Sequence, residues 1–265
     1  MTPDPSWLQR LRARLDQPPA RPRAPLELVA PGLVGACIGS IEPALAGRIA
    51  GEGLPLFKSG ANWCLQPTDG DSIDATLAAV AQWLRSNGLA SRWRDERLAV
   101  TDAQCTIFGA IERAAVRPLG IATFAAHLVV RDVRGNVWVQ QRAFDKATDP
   151  GLWDTTMGGL VAAGETTLQA LERETWEEAG LRIEDLQHVA RAGRVTVRRP
   201  LAEGYMVEHI DLFEALVPEG LVPVNQDGEV ERFECVDRST LISRLHDDAF
   251  TLEAGMILAT WLSRQ

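Results

Sequence analysis

The sequence is poor in the features that would send it to a membrane, to nucleic acid or to an oxidising compartment. No run approaches the roughly 18 apolar residues needed to span a bilayer, and the opening stretch MTPDPSWLQRLRARLDQ lacks the uninterrupted apolar core of a signal peptide. Positive charge is in deficit: 27 Lys and Arg stand against 36 Asp and Glu, for a formal net charge of −9. That balance argues against a surface for a nucleic-acid polymer or an anionic membrane, while a small phosphorylated ligand remains compatible. The four cysteines, Cys37, Cys64, Cys105 and Cys235, fall in no CxxC spacing, so they indicate neither a zinc site nor a disulfide framework. A soluble, cytoplasmic protein is expected, and 265 residues suffice for one large or two modest domains.

What is present is concentrated in GLVAAGETTLQALERETWEEAGL, residues 159–181. Glu174, Glu177 and Glu178 stand there at i, i+3 and i+4, so a helix would project them from one face. Like charges at that spacing destabilise a helix unless a cation gathers them. Carboxylate oxygens are the ligands preferred by hard divalent cations such as Mg²⁺, whose sites commonly include waters and substrate phosphates. A Glu cluster taken alone is more usually a solvated acidic face. The order of the parts favours the metal: Gly158-Gly159, then Gly164-Glu165, then the helix, then Gly180 as its stop. Leu168, Leu171, Thr175 and Ala179 form the apolar stripe of this helix, which turns Thr175 to the core with its hydroxyl bonded to an upstream carbonyl.

Elsewhere the pattern predicts a short helix over 7–15 capped by Ser6, then the stiff connector PPARPRAP. It further predicts a strand at 26–30, a helix at 41–50, a helix capped by Asp71 or Ser72 that runs to Ser86, and a helix over 103–115. No metal-ligand spacing, phosphate-binding Gly loop or nucleophile motif marks this region. After Pro118 the texture changes. ATFAAHLVV and VWVQQR read as strands joined by RDVRGN, and the long loop AFDKATDPGLWDTTM leads to the Gly-Gly turn. Strands are expected at 188–197, 205–216 and 231–236, followed by a helix capped by Ser239 and another over 252–264.

The spacing of Gly159, Glu165, Arg173, Glu174, Glu177, Glu178, Gly180 and Leu181 resembles the Nudix box, with Thr175 where that family has an aliphatic residue. Outside it, WRDE (93–96), IERAA (111–115), Arg142 and Lys146 in R-x3-K, PGLWD (150–154) and DGEVERF (227–233) together resemble one Nudix branch. That branch carries an extra N-terminal domain and is related to thiamine diphosphate metabolism. Its members hydrolyse the diphosphates of damaged or oxidised thiamine to monophosphates.

The resemblance implies an α/β fold: a C-terminal α/β/α Nudix sandwich over 119–265 and a smaller mixed α+β N-terminal domain over 1–118. It implies a metal-dependent pyrophosphohydrolase that uses Mg²⁺, or Mn²⁺, on a small organic diphosphate. Glu174, Glu177 and Glu178 are the expected metal ligands, completed by the carbonyl of Gly159 or Gly158, with Glu229 or Glu231 as a distal ligand or base. Glu178 is the first candidate for the general base, and Arg173 and Glu165 are read as orienting residues. Arg142 and Lys146 are expected to grip the diphosphate. Trp153 either stacks on a heteroaromatic ring or anchors its loop, and His127 and His209 read as core or sheet residues. Two alternatives stand beside this. An isoprenyl-diphosphate isomerase relative would need a proton-transferring Cys and a His-rich metal site, which DTTMGG does not offer, and a non-catalytic ligand sensor commonly has an eroded box. The oligomeric state is left open, a homodimer included.

Overall fold

The computed structural model describes residues 4–68, 70 and 72–264, and of Val34 the backbone alone. Asp71, one of the two expected helix caps, lies outside the described residues. Helix α1 (Pro5–Leu15) is capped by Asp4 rather than Ser6: the Asp4 carboxylate accepts the Trp7 amide at 2.9 Å, and Pro5 takes the first helical position, where its missing N–H costs nothing. Ser6 donates its hydroxyl to that same carboxylate.

The N-terminal region folds around a four-stranded sheet in the order β2-β1-β4-β3, built from β1 (Ala24–Ala30), β2 (Leu33–Ile41), β3 (Leu56–Ser59) and β4 (Asn62–Leu65). Helix α2 (Pro43–Gly51) starts two residues later than the pattern predicts because Ile41 completes β2, where it pairs with Ala24. Helix α3 (Ile73–Ser86) is capped by Ser72, and its Leu77, Val80 and Leu84 join Leu26, Leu28, Ile38 and Ile41 in one core. The helix expected over 103–115 is absent. In its place β6 (Ile107–Glu112) pairs with β5 (Arg97–Thr101), followed by a 3-10 turn at Arg113–Ala115. Tertiary contacts override local helix preference here. The Asp74 side chain at the start of α3 takes the Ala110 amide at 2.8 Å, and a Cβ on Gly109 would lie 2.6 Å from that carboxylate.

The C-terminal region is a mixed sheet between helices. Its strands are β7 (Ala122–Arg131), β8 (Val137–Arg142), β9 (Trp153–Asp154), β10 (Met157–Leu160), β11 (Gln187–Leu201), β12 (Gly204–Leu216) and β13 (Val230–Val236). The main path runs β11-β12-β7-β8-β13, with β7 and β12 parallel, β10 added to β7 and β9 to β8. Alternation along β7 sorts its side chains. Ala126, Leu128 and Val130 pack with Leu171 and Ala179 of helix α4 (Thr167–Ala179), while Ala125 and Val129 pack on the opposite face. That second face is covered by α5 (Arg238–His246), α6 (Leu252–Leu262) and the distant α1, whose Trp7, Leu11 and Leu15 are all buried. Helix α5 is capped by Asp237, not Ser239, because the shorter reach belongs to the Asp237 carboxylate, 2.7 Å from the Thr240 amide.

Several bonds knit the two regions. The Ser40 amide donates to the Leu119 carbonyl at 2.9 Å, the Tyr205 amide to the Arg117 carbonyl at 3.0 Å, and the Tyr205 hydroxyl to the Gln17 carbonyl at 2.8 Å. The Ala163 amide reaches the Arg97 carbonyl at 2.8 Å, which brings the β5–β6 hairpin beside the turn preceding α4.

Candidate active site

Helix α4 is fixed at both ends. Thr166 and Gln169 form a reciprocal capping box, and Gly180 closes the helix in the left-handed region with φ of 61°. Thr175 is fully buried and its hydroxyl donates to the Leu171 carbonyl at 2.5 Å. Leu168 departs from the expected stripe: it is 62% exposed, since contact with the sheet begins only at Ala170 and Leu171.

Arg173 organises the acidic groups. Its Nε and Nη2 meet the two oxygens of Glu165 at 2.8 and 2.9 Å, in a bidentate pair. Its Nη1 donates to Glu174 at 2.8 Å and to Glu177 at 3.1 Å, and Nη2 also reaches the Leu160 carbonyl at 3.2 Å. The hydrogen bonds from Arg173 hold the Glu165 carboxyl below its usual range, and those carboxylates in turn raise Arg173. Glu174 goes the other way, because burial raises its pKa and Glu177 adds like charge.

Glu178 is buried behind this cluster. Its Oε2 accepts Gln140 Nε2 at 2.9 Å and the Gly158 amide at 3.0 Å, yet burial still pushes its carboxyl up to about 8. The glycine pair preceding α4 is required by close approach on both sides. A Cβ on Gly159 would stand 2.0 Å from the Glu174 carboxyl carbon, and one on Gly158 would stand 2.3 Å from the ring of His127. Burial lowers the pKa of His127. The Thr155 hydroxyl donates to the Met157 carbonyl and lies 2.8 Å from His127 Nδ1, so Nδ1 carries the proton and donates to Thr155.

The loop after β8 brings further charges to the same place. Lys146 pairs with Glu229, and its charge is felt at Glu178. Burial raises the Glu229 carboxyl, but the bond from Lys146 and the charges of Lys146, Arg142 and Arg94 leave it below its usual range. Arg142 is turned toward its own loop: Nε and Nη2 donate to the Thr148 carbonyl at 3.2 and 3.0 Å, and Nη1 lies 3.5 Å from Asp154. Glu231 is exposed. Trp153 is a correction to the stacking role considered from sequence. It is only 8% exposed, sits in the core with α5 and α6, and is tied by its amide to Ala249 and by its carbonyl to the Thr251 amide. The guanidinium of Arg244 lies over its ring at 4.4 Å. This is the loop anchor, not a surface for a ligand.

The donor set suits a hard divalent cation: carboxylates from one helix, beside a backbone turn whose glycine leaves room for the Glu174 carboxyl that a Cβ would fill. Among the described residues, no three Asp, Glu, His or Cys side chains converge as they lie. Arg173 holds Glu174 and Glu177, while Glu178 faces inward to Gln140. A cation would offset the burial of Glu174 and Glu178 that now raises both carboxyls.

Sequence reasoning gave no role to three contributors: Gln140 steadies Glu178, Asp154 links Arg142 to the Thr155 amide, and Glu96 places negative charge near Glu174. His127, read as a core or sheet residue, is buried in β7 and backs Gly158. VWVQQR carries no local signal that separates Gln140 from Gln141; only the burial of Gln140 calls for the polar partner it finds in Glu178.

A NUDIX domain profile matches residues 122–255 of the chain. Nudix hydrolase 20, chloroplastic, from Arabidopsis thaliana is 28% identical over 178 residues, 66% of this chain and 48% of that protein. Nudix hydrolase 24, chloroplastic, from the same plant is 28% identical over 205 residues, 71% of this chain and 53% of the relative. The chain thus spans about half the length of these relatives. Isopentenyl-diphosphate Delta-isomerase from Streptomyces coelicolor is 32% identical over 157 residues, 58% of this chain and 77% of that enzyme. Among solved structures, DR0079 from Deinococcus radiodurans is similar in fold, with a TM-score of 0.50 at 22% identity over 64% of this chain and 98% of that one. No helix among the described residues is long and apolar enough to cross a membrane.

Proposed function

The chain belongs to the NUDIX domain family, and from that membership we propose that it is a metal-dependent pyrophosphohydrolase. Its substrate is a small organic diphosphate, which water splits to the monophosphate and inorganic phosphate. The observation that carries this reading is the Arg173-centred carboxylate cluster beside Gly158-Gly159, with Glu178 buried behind it. Glu174, Glu177 and Glu178, with the Gly159 carbonyl, would hold a divalent cation, Mg²⁺ or Mn²⁺, which would supply charge neutralisation at the phosphate oxygens. Arg173 and Glu165 keep the Glu174 and Glu177 carboxylates in place, and Glu178 accepts a proton from the attacking water. Lys146 exchanges Glu229 for a phosphate oxygen, and Arg142 braces the loop that carries it. Glu229 then serves as a distal ligand or base.

The finer reading is a thiamine diphosphate derivative. Its support is the resemblance of the outer motifs and the position of WRDE, whose Arg94 and Glu96 act electrostatically on Glu229 and Glu174. The test is a hydrolysis screen with Mg²⁺ or Mn²⁺ over thiamine, oxythiamine and nucleoside diphosphates, with product identification. Glu178→Gln should lose nearly all turnover while melting as a folded protein. Release of neither phosphate nor monophosphate from any substrate defeats the reading. The likeness to isopentenyl-diphosphate isomerases favours a second reading, which conversion of isopentenyl to dimethylallyl diphosphate without phosphate release would establish.

A further inference from the structure

A cavity of about 770 Å³ lies between the connector at 19–23, the start of α2, the turn after α3 and the β11–β12 turn. Its size is that of a metabolite site. Neither the carboxylates of α4 nor Arg142 and Lys146 border it, so it is separate from the carboxylate cluster. In a chain of net charge −9 its charged lining is mostly cationic: Arg21, Arg23 and Arg48 stand against two carboxylates, of which Glu203 is already taken by Arg117.

The lining holds hydrogen-bond donors in reserve. Arg23 is set deepest, its side chain only 4% exposed. Its Nε donates to the Ser40 hydroxyl at 2.9 Å, and Nη2 to the carbonyls of Pro118, at 2.7 Å, and Ser40, yet Nη1 makes no hydrogen bond among the described residues and lies 4.0 Å from Glu42 Oε1. Burial lowers the pKa of this guanidinium even with Glu42 beside it, which marks a cation short of counter-charge. Arg21 Nη1 reaches the other oxygen of Glu42 at 3.4 Å, and Arg48 Nη2 reaches Asn87 Oδ1 at 3.4 Å, its guanidinium 5.5 Å from the centroid of the Trp83 ring. Glu42 begins α2 without a side-chain cap bond, so the first-turn amides of Ala44 and Leu45, both on the cavity wall, have no acceptor among the described residues. Donors converging from two guanidinium-bearing segments and a helix start ask for more than the two oxygens of a carboxylate, and a phosphate supplies them. Leu45, Leu89 and Leu201 line the rest, a surface that an inorganic ion would leave uncovered.

We propose that this cavity is a second ligand site, for a small organic phosphate whose oxygens take Arg21, Arg23 Nη1, Arg48 and the first amides of α2, and whose apolar body rests on Leu45, Leu89 and Leu201. Glu42 is the internal competitor: its carboxylate stands among the same cations at long range and yields them to the better-matched anion. With α2 on one wall and the β11–β12 turn on the other, the occupant ties the N-terminal region to the sheet that carries the carboxylate helix. The inference goes beyond the hydrolase reading and stands without it.

The experiment is calorimetric titration of the metal-free full chain with phenyl phosphate and with inorganic phosphate, in the wild type, Arg48→Ala, Glu42→Gln and Lys146→Ala, with thermal melts to confirm folding. The wild type should bind phenyl phosphate about tenfold more tightly than inorganic phosphate, because only the former covers the leucines. Arg48→Ala should weaken phenyl phosphate about tenfold, the loss of one charge-assisted hydrogen bond. Glu42→Gln should tighten it by removing the competing carboxylate, and Lys146→Ala, which alters the carboxylate site instead, should leave it unchanged. No binding of phenyl phosphate to the wild type, equal affinity for the two probes, or binding that survives Arg48→Ala and is lost in Lys146→Ala overturns the proposal. No turnover is measured, so failure of the hydrolase reading leaves this test intact.

Discussion

Replacing Arg173 by Ala tests whether the guanidinium holds the acidic site together. The substitution removes the bidentate pair with Glu165, the bonds to Glu174 and Glu177 and the contact with the Leu160 carbonyl. Hydrogen bonds between charged groups contribute about 1.5–3 kcal/mol each when sheltered, whereas exposed pairs give about 0–1 kcal/mol. The Arg173 side chain is 33% exposed and Glu177 45%, so the Glu165 pair and the Glu174 bond dominate, and a loss of about 2–3 kcal/mol is expected. In urea that lowers the midpoint by about 0.7–1 M for a slope near 3 kcal/mol/M. Arg173→Lys should recover at most half, since a point charge cannot span both Glu165 oxygens.

The pH dependence carries a sign. Arg173 depresses the Glu165 carboxyl, so that pairing contributes stability above the unfolded carboxylate range and loses it as pH falls through the folded value. The gap between wild type and Arg173→Ala should therefore narrow as pH drops from about 6 to about 3. A gap independent of pH, or an Arg173→Lys protein as stable as the wild type, would refute the assignment.

Thr175→Val should cost about 0.5–1.5 kcal/mol, the net value of the lost hydroxyl bond to the Leu171 carbonyl, and leave turnover within about twofold, because the methyl that replaces the hydroxyl lies away from the carboxylate face. Melting curves and a single turnover assay check both halves; a large activity loss would show that the hydroxyl tunes the carboxylates. Trp153→Ala should destabilise by about 3–5 kcal/mol with KM of the surviving folded protein unchanged, as expected of a core anchor. A raised KM at unaltered melting temperature would return the ring to the substrate.

The acidic helix was readable because its signals are local: a stop and carboxylates one turn apart need no knowledge of the rest of the chain. Thr175 was placed correctly for the same reason. The failures concern residues whose conformation is set from a distance. Residues 103–115 carry a composition tolerant of helix, but pairing with β5 and the Asp74 side chain hold most of that stretch extended. Trp153 read either as a ring-stacking residue or as a loop anchor, and only the packing of α5 and α6 reveals that its loop dips into the core. Gln140 lay in a recognisable strand, yet its partner Glu178 is 38 positions away, and no spacing rule joins them. The caps of α1 and α5 were missed by two positions toward the carboxylate, where Asp4 and Asp237 outcompete nearby serines, whereas Ser72, one of the two caps expected for α3, does cap it.

The docking of α1 onto α5 and α6 has a bearing on how the chain reaches this state. The Asp4 amide meets His246 across 242 positions, and Trp7 stacks near the same ring with centroids 5.4 Å apart. Closing a loop of that length carries an entropic penalty of about 5 kcal/mol, comparable to what burial of Trp7, Leu11 and Leu15 returns at about 1.5–3 kcal/mol each. Helix α1 therefore gains little until its receiving surface already exists, and during synthesis it waits, its apolar stripe uncovered, until α6 has been made. Helix α1, made before the surface that receives it, is in this way one of the last elements described to settle, and the interval before it does so exposes the nascent chain to chaperones and to aggregation.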